Sequence, residues 1–398
     1  MGEIYNYDRQ TDRQTDRQTD RQTDRQTDRQ TGRNYGIDML RIVAMYMIVV
    51  IHILMKGNVF ENETSYVATI IDIFLYSLVL CCVNCYALIS GYVSYREKIK
   101  YNFGSYINLW IQVVFYGVVV LGGLKITGVA TVSVKNFLEA LIPVTRDQYW
   151  YFTAYTGVFL FAPLMNLLLT KINEQQGKMI CKIFFVFFSA YATIAANLGG
   201  DPFDEKEGYS VLWLCILYFF GAAVKKYHWD EFIWRKKKKK IIIISSMCVI
   251  FTGLWYLIVK AMMNNIMGWS WGERIFMSYT SPTICILSFC LLIIFSKLQL
   301  SVSVINVVKF FAPTTFGVYL LHMQPIFAKE IIEKKFLWIS QLPGVTPTIM
   351  VLSISLVILL TGMLIDRGRM KFFKILKITE LTHKLNEILW LKVSNCGD

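Results

Sequence analysis

Long apolar stretches follow one another along most of the chain, with short polar segments between them. Ten of these stretches come close to the roughly 20 residues that a helix needs to cross a hydrocarbon core. Charged residues make up only 17% of the 398-residue chain, against about 25% in soluble domains. The sequence therefore predicts an all-α, polytopic membrane protein with about ten transmembrane helices. The predicted spans are residues 39–56, 67–95, 104–124, 149–170, 180–198, 209–224, 241–260, 274–296, 304–327 and 346–366.

Lysine and arginine residues are shared unequally between the alternate segments that join these spans. One set of segments, which includes residues 225–240 and the end of the chain, holds 23 of them, and the opposite set holds 10. Because cytoplasmic loops carry the excess of Lys and Arg, both termini are predicted to be cytoplasmic. Despite the net charge of +13, the five lysines at 236–240 are interpreted as a solvated stop at the lipid surface, and nucleic acid is not an expected partner.

The first part of the chain has a different composition from the rest. Residues 8–31 are six tandem copies of Asp-Arg-Gln-Thr without an apolar residue, so they cannot bury a core and are predicted to be disordered. The tetranucleotide GACA, read in triplets, encodes the same four residues, which suggests a slippage tract that switches the gene on and off. A protein-level spacer with varied codons is the alternative. The predicted domains are a leader (1–33), a transmembrane domain (34–370) and a basic cytoplasmic tail (371–398).

The first span carries titratable residues, which are costly in lipid and therefore candidates for function. Arg41 and His52 are eleven residues apart, which at about 100° per residue places them within about 20° of each other on one helical face. Asp38 falls on the same side. The rise between Arg41 and His52 is about 16 Å. The pattern therefore predicts an anion site at Arg41, at the cytoplasmic end of the span, and a base at His52, beyond the middle of the membrane. The alternatives are an interfacial structural histidine and a snorkelling arginine.

Several segments of the chain resemble the acyltransferase 3 family. Its opening element, an Arg followed after ten residues by a His, is matched by Arg41 and His52, and three further matches come in the family's order. They are the run at 83–92 that ends in Ser-Gly-Tyr, the aromatic box at 149–155 and the Tyr-Leu-x-His element at 319–322. The resemblance covers about residues 35–366. It departs after the second span, where many members carry Arg-x-x-Arg and Pro but this chain has Lys98 and Lys100.

The resemblance implies an acyl-coenzyme A donor, with acetyl-CoA the favoured one, and a sugar hydroxyl as acceptor. Arg41, Lys98 and Lys100 are the expected ligands of the donor's phosphates. His52 is the expected general base or acyl-carrying nucleophile, and the residues leave both roles open. Asp38 is grouped with Arg41 and His52 as a catalytic residue. No metal is expected, since Cys82 and Cys85 form a lone C-x-x-C pair.

Aromatic residues before the fourth span and near the ninth are the candidates for binding the acceptor, although an interfacial aromatic belt and a structural histidine would explain them equally well. The expected protein is a carbohydrate O-acetyltransferase of the bacterial inner membrane, of unknown oligomeric state, whose partners are a glycan and membrane lipid. A transporter or flippase for a lipid-linked oligosaccharide is the main alternative, but no repeat between the halves favours it. The acceptor-binding candidates are Trp150, Tyr151, Tyr155, Tyr319 and His322.

Overall fold

The computed structural model describes residues 33–98, 101–266 and 272–394. The predicted disordered repeat at 8–31 and the candidate donor ligand Lys100 lie outside these ranges. The described residues form helices and no strand, which confirms the all-α prediction. The α-helices are α1 (Tyr35–Ile51), α2 (Tyr66–Val79), α3 (Cys82–Ser94), α4 (Phe103–Ile126), α5 (Val134–Leu141), α6 (Trp150–Lys171), α7 (Glu174–Phe185), α8 (Ala192–Asn197), α9 (Val211–Lys226), α10 (Trp229–Ile266), α11 (Pro282–Ser296), α12 (Val302–Phe311), α13 (Thr315–His322), α14 (Pro325–Phe327), α15 (Thr346–Ile375) and α16 (Ile378–Ser394).

Eight helical segments of the described chain are long and apolar enough to cross a membrane, which confirms the polytopic architecture. The other two predicted spans correspond to α9, of 16 residues, and α11, of 15 residues. At about 1.5 Å per residue these two helices cover less than the roughly 30 Å of a hydrocarbon core. The eight long segments are Tyr35–Lys56, Tyr66–Ser94, Phe103–Ile126, Trp150–Lys171, Glu174–Asn197, Trp229–Met262, Val302–His322 and Thr346–Ile375.

Helices α3 and α9 touch each other through glycine. A Cβ atom on Gly91 would lie 1.9 Å from the Tyr218 carbonyl oxygen, and one on Gly221 would lie 2.0 Å from that of Leu88. Without side chains at these two positions, the backbones approach closely, as is common between membrane helices. The Ser-Gly pair near the end of the second span, which includes Gly91, therefore marks a helix crossing, and the Ser90 hydroxyl donates to the Tyr86 carbonyl of its own helix.

Helix α1 occupies the centre of the bundle. It contacts α2, α3, α11, α12, α13 and α15, and residues on several of its faces are buried. At its start, a Cβ on Gly36 would lie 1.9 Å from the Phe295 carbonyl oxygen of α11, so only glycine fits there. In contrast, α15 leaves large apolar side chains such as Leu356 and Val357 exposed along its length, as expected for a face that contacts lipid.

Three membrane segments change their helical geometry partway along. Helix α1 ends in a π-helical turn at His52–Lys56, α7 leads into a π-helical turn at Val186–Tyr191, and a turn at residues 80–81 separates α2 from α3. Turns of the π type are often found at functional sites because they redirect the side chains that follow. The first of these turns begins at His52, the candidate base.

The loop between α8 and α9 holds a strained backbone and a buried acid. Asp204, Lys206 and Glu207 all have positive φ angles, of 51°, 50° and 56°. Between them, Glu205 is only 2% exposed, and neither of its carboxylate oxygens has a hydrogen-bond partner among the described residues. Burial, together with the nearby Asp201 carboxylate, raises the pKa of Glu205 to about 8.

This raised pKa predicts a pH-dependent stability. Because folded Glu205 holds its proton up to about pH 8 whereas the unfolded chain releases it near pH 4.5, stability should fall as pH rises between these values. Replacing the acid with an uncharged amide, Glu205→Gln, should therefore raise the melting temperature in detergent at pH 7–8. The gain should shrink toward zero near pH 4.5.

Asp204→Asn is the matched control, because the Asp204 side chain lies in the same loop and is 82% exposed. It should leave the melting temperature unchanged at every pH. A melting temperature of Glu205→Gln that follows wild type across the whole range would contradict the assignment of a buried, protonated Glu205.

Candidate active site

His52 and His322 meet inside the helical bundle. The Nδ1 atom of His52 lies 2.9 Å from Nε2 of His322, although the two residues are 270 positions apart in the sequence. His52 begins the π-helical turn after α1, and His322 is the last residue of α13 and is only 3% exposed. The structure thus brings His322, a candidate for the acceptor site, into direct contact with the candidate base.

The hydrogen bonds of the pair determine the tautomers of its neutral form. Nδ1 of His322 lies 2.6 Å from the Val318 carbonyl oxygen, which can only accept, so this nitrogen carries the proton. Nε2 of His322 is then the acceptor, and the Nδ1–H of His52 donates to it. The remaining nitrogen of His52, Nε2, keeps its lone pair and has no partner in the described part of the chain. This lone pair can take a proton or attack an electrophile.

A cavity of about 330 Å³ adjoins His52. Of the predicted acceptor-binding residues, Trp150, Tyr151 and Tyr319 line it. The ring of Tyr151 contacts the rings of the other two. Ring faces of this kind stack on the apolar faces of sugars, while the hydroxyls remain available for hydrogen bonds. The cavity thus combines a base with an aromatic lining. Its other lining residues include Tyr76, Tyr86, Tyr209, Tyr279, Phe316 and Glu207.

Some of these lining residues could not be identified from the sequence. Tyr209 and Tyr279 come from two different loops, and their rings lie 5.1 Å apart, with Trp150 4.5 Å from Tyr209. Glu207 has a positive φ angle in a 3₁₀ turn. A tyrosine or glutamate in a loop carries no periodic signal, so only the tertiary structure shows that these residues share the cavity of His52.

A buried ionic network fixes the helix that carries His322. Asp366 of α15 is fully buried, and both of its oxygens accept from the Arg369 guanidinium at 2.8 Å. Tyr116 of α4 also donates to Asp366, at 2.7 Å. A Cβ on Gly317 of α13 would lie 2.2 Å from an Asp366 oxygen, so α13 rests directly on this network. A paired and fully hydrogen-bonded charge of this kind is rigid.

Arg41 lies at the opposite end of α1 from His52, about 16 Å away along the helix axis, and Asp38 lies about one turn farther from His52. One Asp38 oxygen accepts from Arg41 at 2.5 Å, and the other accepts from Arg33 at 2.6 Å. Asp38 is therefore engaged on both oxygens and contacts no group of the His52 cavity. It holds Arg41 in place, while the Arg41 side chain remains 29% exposed.

A second cavity, of about 230 Å³, lies between the end of α3, the start of α4 and the middle of α6. Tyr155, a predicted acceptor-binding residue, lines this cavity and not the one beside His52. Arg96 lines it as well. Tyr155 stacks on Tyr151 with ring centroids 6.5 Å apart, so a pair of aromatic rings separates the two cavities. We call this second space the donor-side cavity.

The link between Arg41 and the His52 cavity is Tyr86. Its ring lines the cavity, and its hydroxyl donates to the Arg41 carbonyl at 2.8 Å. Lys98, a predicted donor ligand, is exposed just beyond α3 and forms no ion pair with the described residues. Among the described residues no three His, Cys, Asp or Glu side chains are grouped as a metal site would require, and Cys82 and Cys85 are free thiols.

Comparison with known proteins gives one result. No match to a curated protein and none to a solved structure was found. The family model of acyltransferase 3, described as an acyltransferase domain, matches residues 34–366, which include both histidines and both cavities. The match supports an acyltransferase and not the transporter that the sequence left as the alternative. The chain belongs to the acyltransferase 3 family and is a multi-pass membrane acyltransferase.

Proposed function

We propose that this acyltransferase moves an acetyl group from acetyl-CoA to a hydroxyl of a cell-surface polysaccharide or lipooligosaccharide, in the inner membrane of a bacterium. The observation that carries the proposal is the His52–His322 pair beside an aromatic cavity. The hydrogen bonds of the pair leave one lone pair on His52, and the cavity has the ring faces and hydroxyls that bind sugars.

In this mechanism His52 takes the proton of the acceptor hydroxyl on Nε2. The oxygen forms a new bond to the acetyl carbon, the bond from that carbon to sulfur breaks, and the imidazolium returns its proton to the departing thiolate. His322 accepts from Nδ1–H of His52 throughout and supports the positive charge on the ring. The same Nε2 lone pair serves equally in the relay version, in which His52 carries the acetyl group itself.

The donor is proposed to bind at the end of α1 where Arg41 lies. Arg41 is held by Asp38 but remains partly exposed, and Arg96 lines the nearby donor-side cavity. Two guanidinium groups suit phosphate oxygens, which they bind in forked hydrogen bonds. The narrow arm of the donor would then pass the Tyr151–Tyr155 ring pair toward His52. Lys98 and Lys100 are proposed as further ligands of the donor's phosphates.

The gene is proposed to be phase-variable, which fits an enzyme that alters a surface antigen. The six Asp-Arg-Gln-Thr copies precede the first residue matched by the family. A change in the number of GACA units would shift the reading frame before the catalytic domain is translated. Reading the DNA tests this: uniform GACA units support it, and mixed codons among the copies exclude it.

The two histidines are predicted to affect turnover to different degrees. His52→Ala removes the base and should lower acetyl transfer by about 10²–10⁴-fold. His322→Ala removes only the group that orients His52, so it should lower kcat by less and leave KM for the donor unchanged. His322→Gln should recover part of the loss, because its side-chain oxygen can accept from His52 Nδ1–H. The measurement is transfer of labelled acetyl from acetyl-CoA in membranes that contain each variant.

His228→Asn is the matched control for the histidine variants. His228 lies in the turn between α9 and α10 with a φ of 53°, a conformation that asparagine tolerates. This variant should keep wild-type turnover. Normal turnover in a well-inserted His52→Ala protein would exclude the proposed base.

Arg41 is predicted to act on donor affinity. Arg41→Ala removes a charge-assisted contact worth about 1.5–3 kcal/mol, so it should weaken acetyl-CoA binding by roughly 10- to 100-fold. Arg41→Lys should recover part of the affinity, because it restores the charge but not the forked geometry. Asp38 keeps Arg33 as a partner in both variants, so the fold should be retained. Binding is measured with labelled acetyl-CoA and purified protein.

Asp38→Asn separates a positioning role of Asp38 from a catalytic one. If Asp38 only holds Arg41, this variant should raise KM for acetyl-CoA and leave kcat near wild type. Arg146→Ala, which removes a half-exposed arginine of the loop before α6, is the matched control and should bind normally. If the Arg41 variants lose kcat without a change in donor affinity, the proposal that the donor binds at Arg41 is wrong.

A further inference from the structure

A third cavity, of about 620 Å³, adjoins the cavity of His52. The two share four lining residues, Met55, Tyr76, Glu207 and Met277, so only these side chains lie between them. We call this third space the outer vestibule, because its walls come from the end of α8 and from loops on the predicted extracytoplasmic side. Its polar lining residues are Thr193, Asn197, Glu207, Glu273, Arg274 and Ser278.

Two polar groups of the outer vestibule lack partners. Thr193 is only 3% exposed, and its hydroxyl has no hydrogen-bond partner among the described residues. One carboxylate oxygen of Glu273 is buried and unpartnered in the same way. A buried polar atom without a partner costs about 1–3 kcal/mol, so both atoms are expected to meet a hydrogen-bonding ligand. Thr193 is the second residue of α8, which continues the helix after the π-helical turn Val186–Tyr191.

The charges of the outer vestibule select the type of ligand. Glu207 and Glu273 line it, and its one guanidinium, on Arg274, is engaged by Glu61 at 2.6 Å. These four groups sum to a net negative charge, which repels an anionic ligand and leaves carboxylate oxygens that accept from hydroxyl groups. The lining therefore suits a hydroxyl-rich molecule that carries no negative charge.

Glu207 stands at the junction of the two cavities. It lines both of them, and its backbone is held at a φ of 56° in a loop where two other non-glycine residues, Asp204 and Lys206, also have positive φ angles. Strained backbone of this kind is found where a side chain must be placed for function. A molecule that reaches from His52 past Glu207 would occupy both cavities at once.

We propose that the outer vestibule is a second sugar subsite. It binds a sugar residue without negative charge next to the one that receives the acyl group, so the acceptor is an oligosaccharide or polymer and not a single sugar. The Thr193 hydroxyl donates to a hydroxyl oxygen of this neighbouring sugar, and the Glu273 carboxylate accepts from another of its hydroxyls. The inference rests on the proposed function, since it assigns the acceptor's length and charge at the same site.

The experiment uses the surface glycan of cells that lack the protein as the probe. The glycan is cut by mild acid and separated into fragments of one, two and more sugars, and each is offered to the purified enzyme with labelled acetyl-CoA. For the wild type, kcat/KM should rise by about tenfold or more from single sugars to longer fragments, the equivalent of about 1.4 kcal/mol. Thr193→Val and Glu273→Ala should each reduce this rise through KM, without changing the rate on single sugars.

Thr127→Val is the matched control, because the Thr127 hydroxyl is satisfied by the Gly123 carbonyl of its own helix, at 2.8 Å. It should keep the wild-type dependence on length. Fragments whose primary hydroxyls have been oxidised to carboxylates should be poor acceptors for wild type and better ones for Glu273→Ala. Binding of acetyl-CoA to each variant confirms that it is folded.

The outcomes separate the subsite from the proposed function. Equal rates on single sugars and longer fragments in wild type, or equal losses on both in Thr193→Val and Glu273→Ala, would overturn the second subsite while leaving acetyl transfer intact. If the wild type binds acetyl-CoA but acetylates no fragment of any length, the proposed carbohydrate acceptor is wrong, and the subsite is overturned with it.

Discussion

The hydrogen bond between His52 and His322 is the interaction on which the site depends. It joins the π-helical turn after α1 to the end of α13, and together with the Val318 carbonyl it satisfies both nitrogens of the buried His322, which would be costly without partners. Because the Val318 carbonyl fixes the proton on His322, the order of donors and acceptors runs in one direction toward His52 Nε2. The ionic network at Asp366 helps to fix the position of His322, because α13 packs against Asp366 of α15 at Gly317. Rigidity at one end of α13 thus determines the chemistry at its other end.

In the proposed mechanism, the segment that begins with helix α1 carries the donor-binding residues at one end and the catalytic base at the other. Its first turns carry Asp38 and Arg41, and its π-helical turn carries His52, so a single rigid element sets the separation between a charged site and a base. Tyr86 connects these two levels, because its hydroxyl bonds the Arg41 backbone while its ring lines the His52 cavity. A reaction that brings a donor from one side of a membrane and an acceptor from the other requires this kind of separation, with the reacting atoms enclosed between the two.

The sequence was sufficient for features that depend on periodicity within one helix. Most of the membrane spans follow from the length of the apolar runs, and the helical spacing of Arg41 and His52 follows from their separation in the sequence. Features that depend on tertiary contacts were not predictable in this way. From the sequence, His322 could either share the site of His52 or have only a structural role. The structure places it in contact with His52, although the two are 270 residues apart in the sequence. Tyr155 lies one helical turn after Tyr151 on the same face of α6, so it reaches the donor-side cavity while Tyr151 lines the cavity of His52. The predicted span at 274–296 is shorter in the structure because α11 begins only at Pro282.

We propose that the donor and the acceptor approach His52 from opposite sides, through different cavities. The most direct measurement is a cryo-electron-microscopy structure of the protein with a non-hydrolysable acetyl-CoA analogue. We expect density for the phosphates beside Arg41 and Arg96, with the arm passing the Tyr151–Tyr155 ring pair and the acetyl group within hydrogen-bonding reach of His52 Nε2. Density for the phosphates in the outer vestibule, beside Arg274, would contradict it.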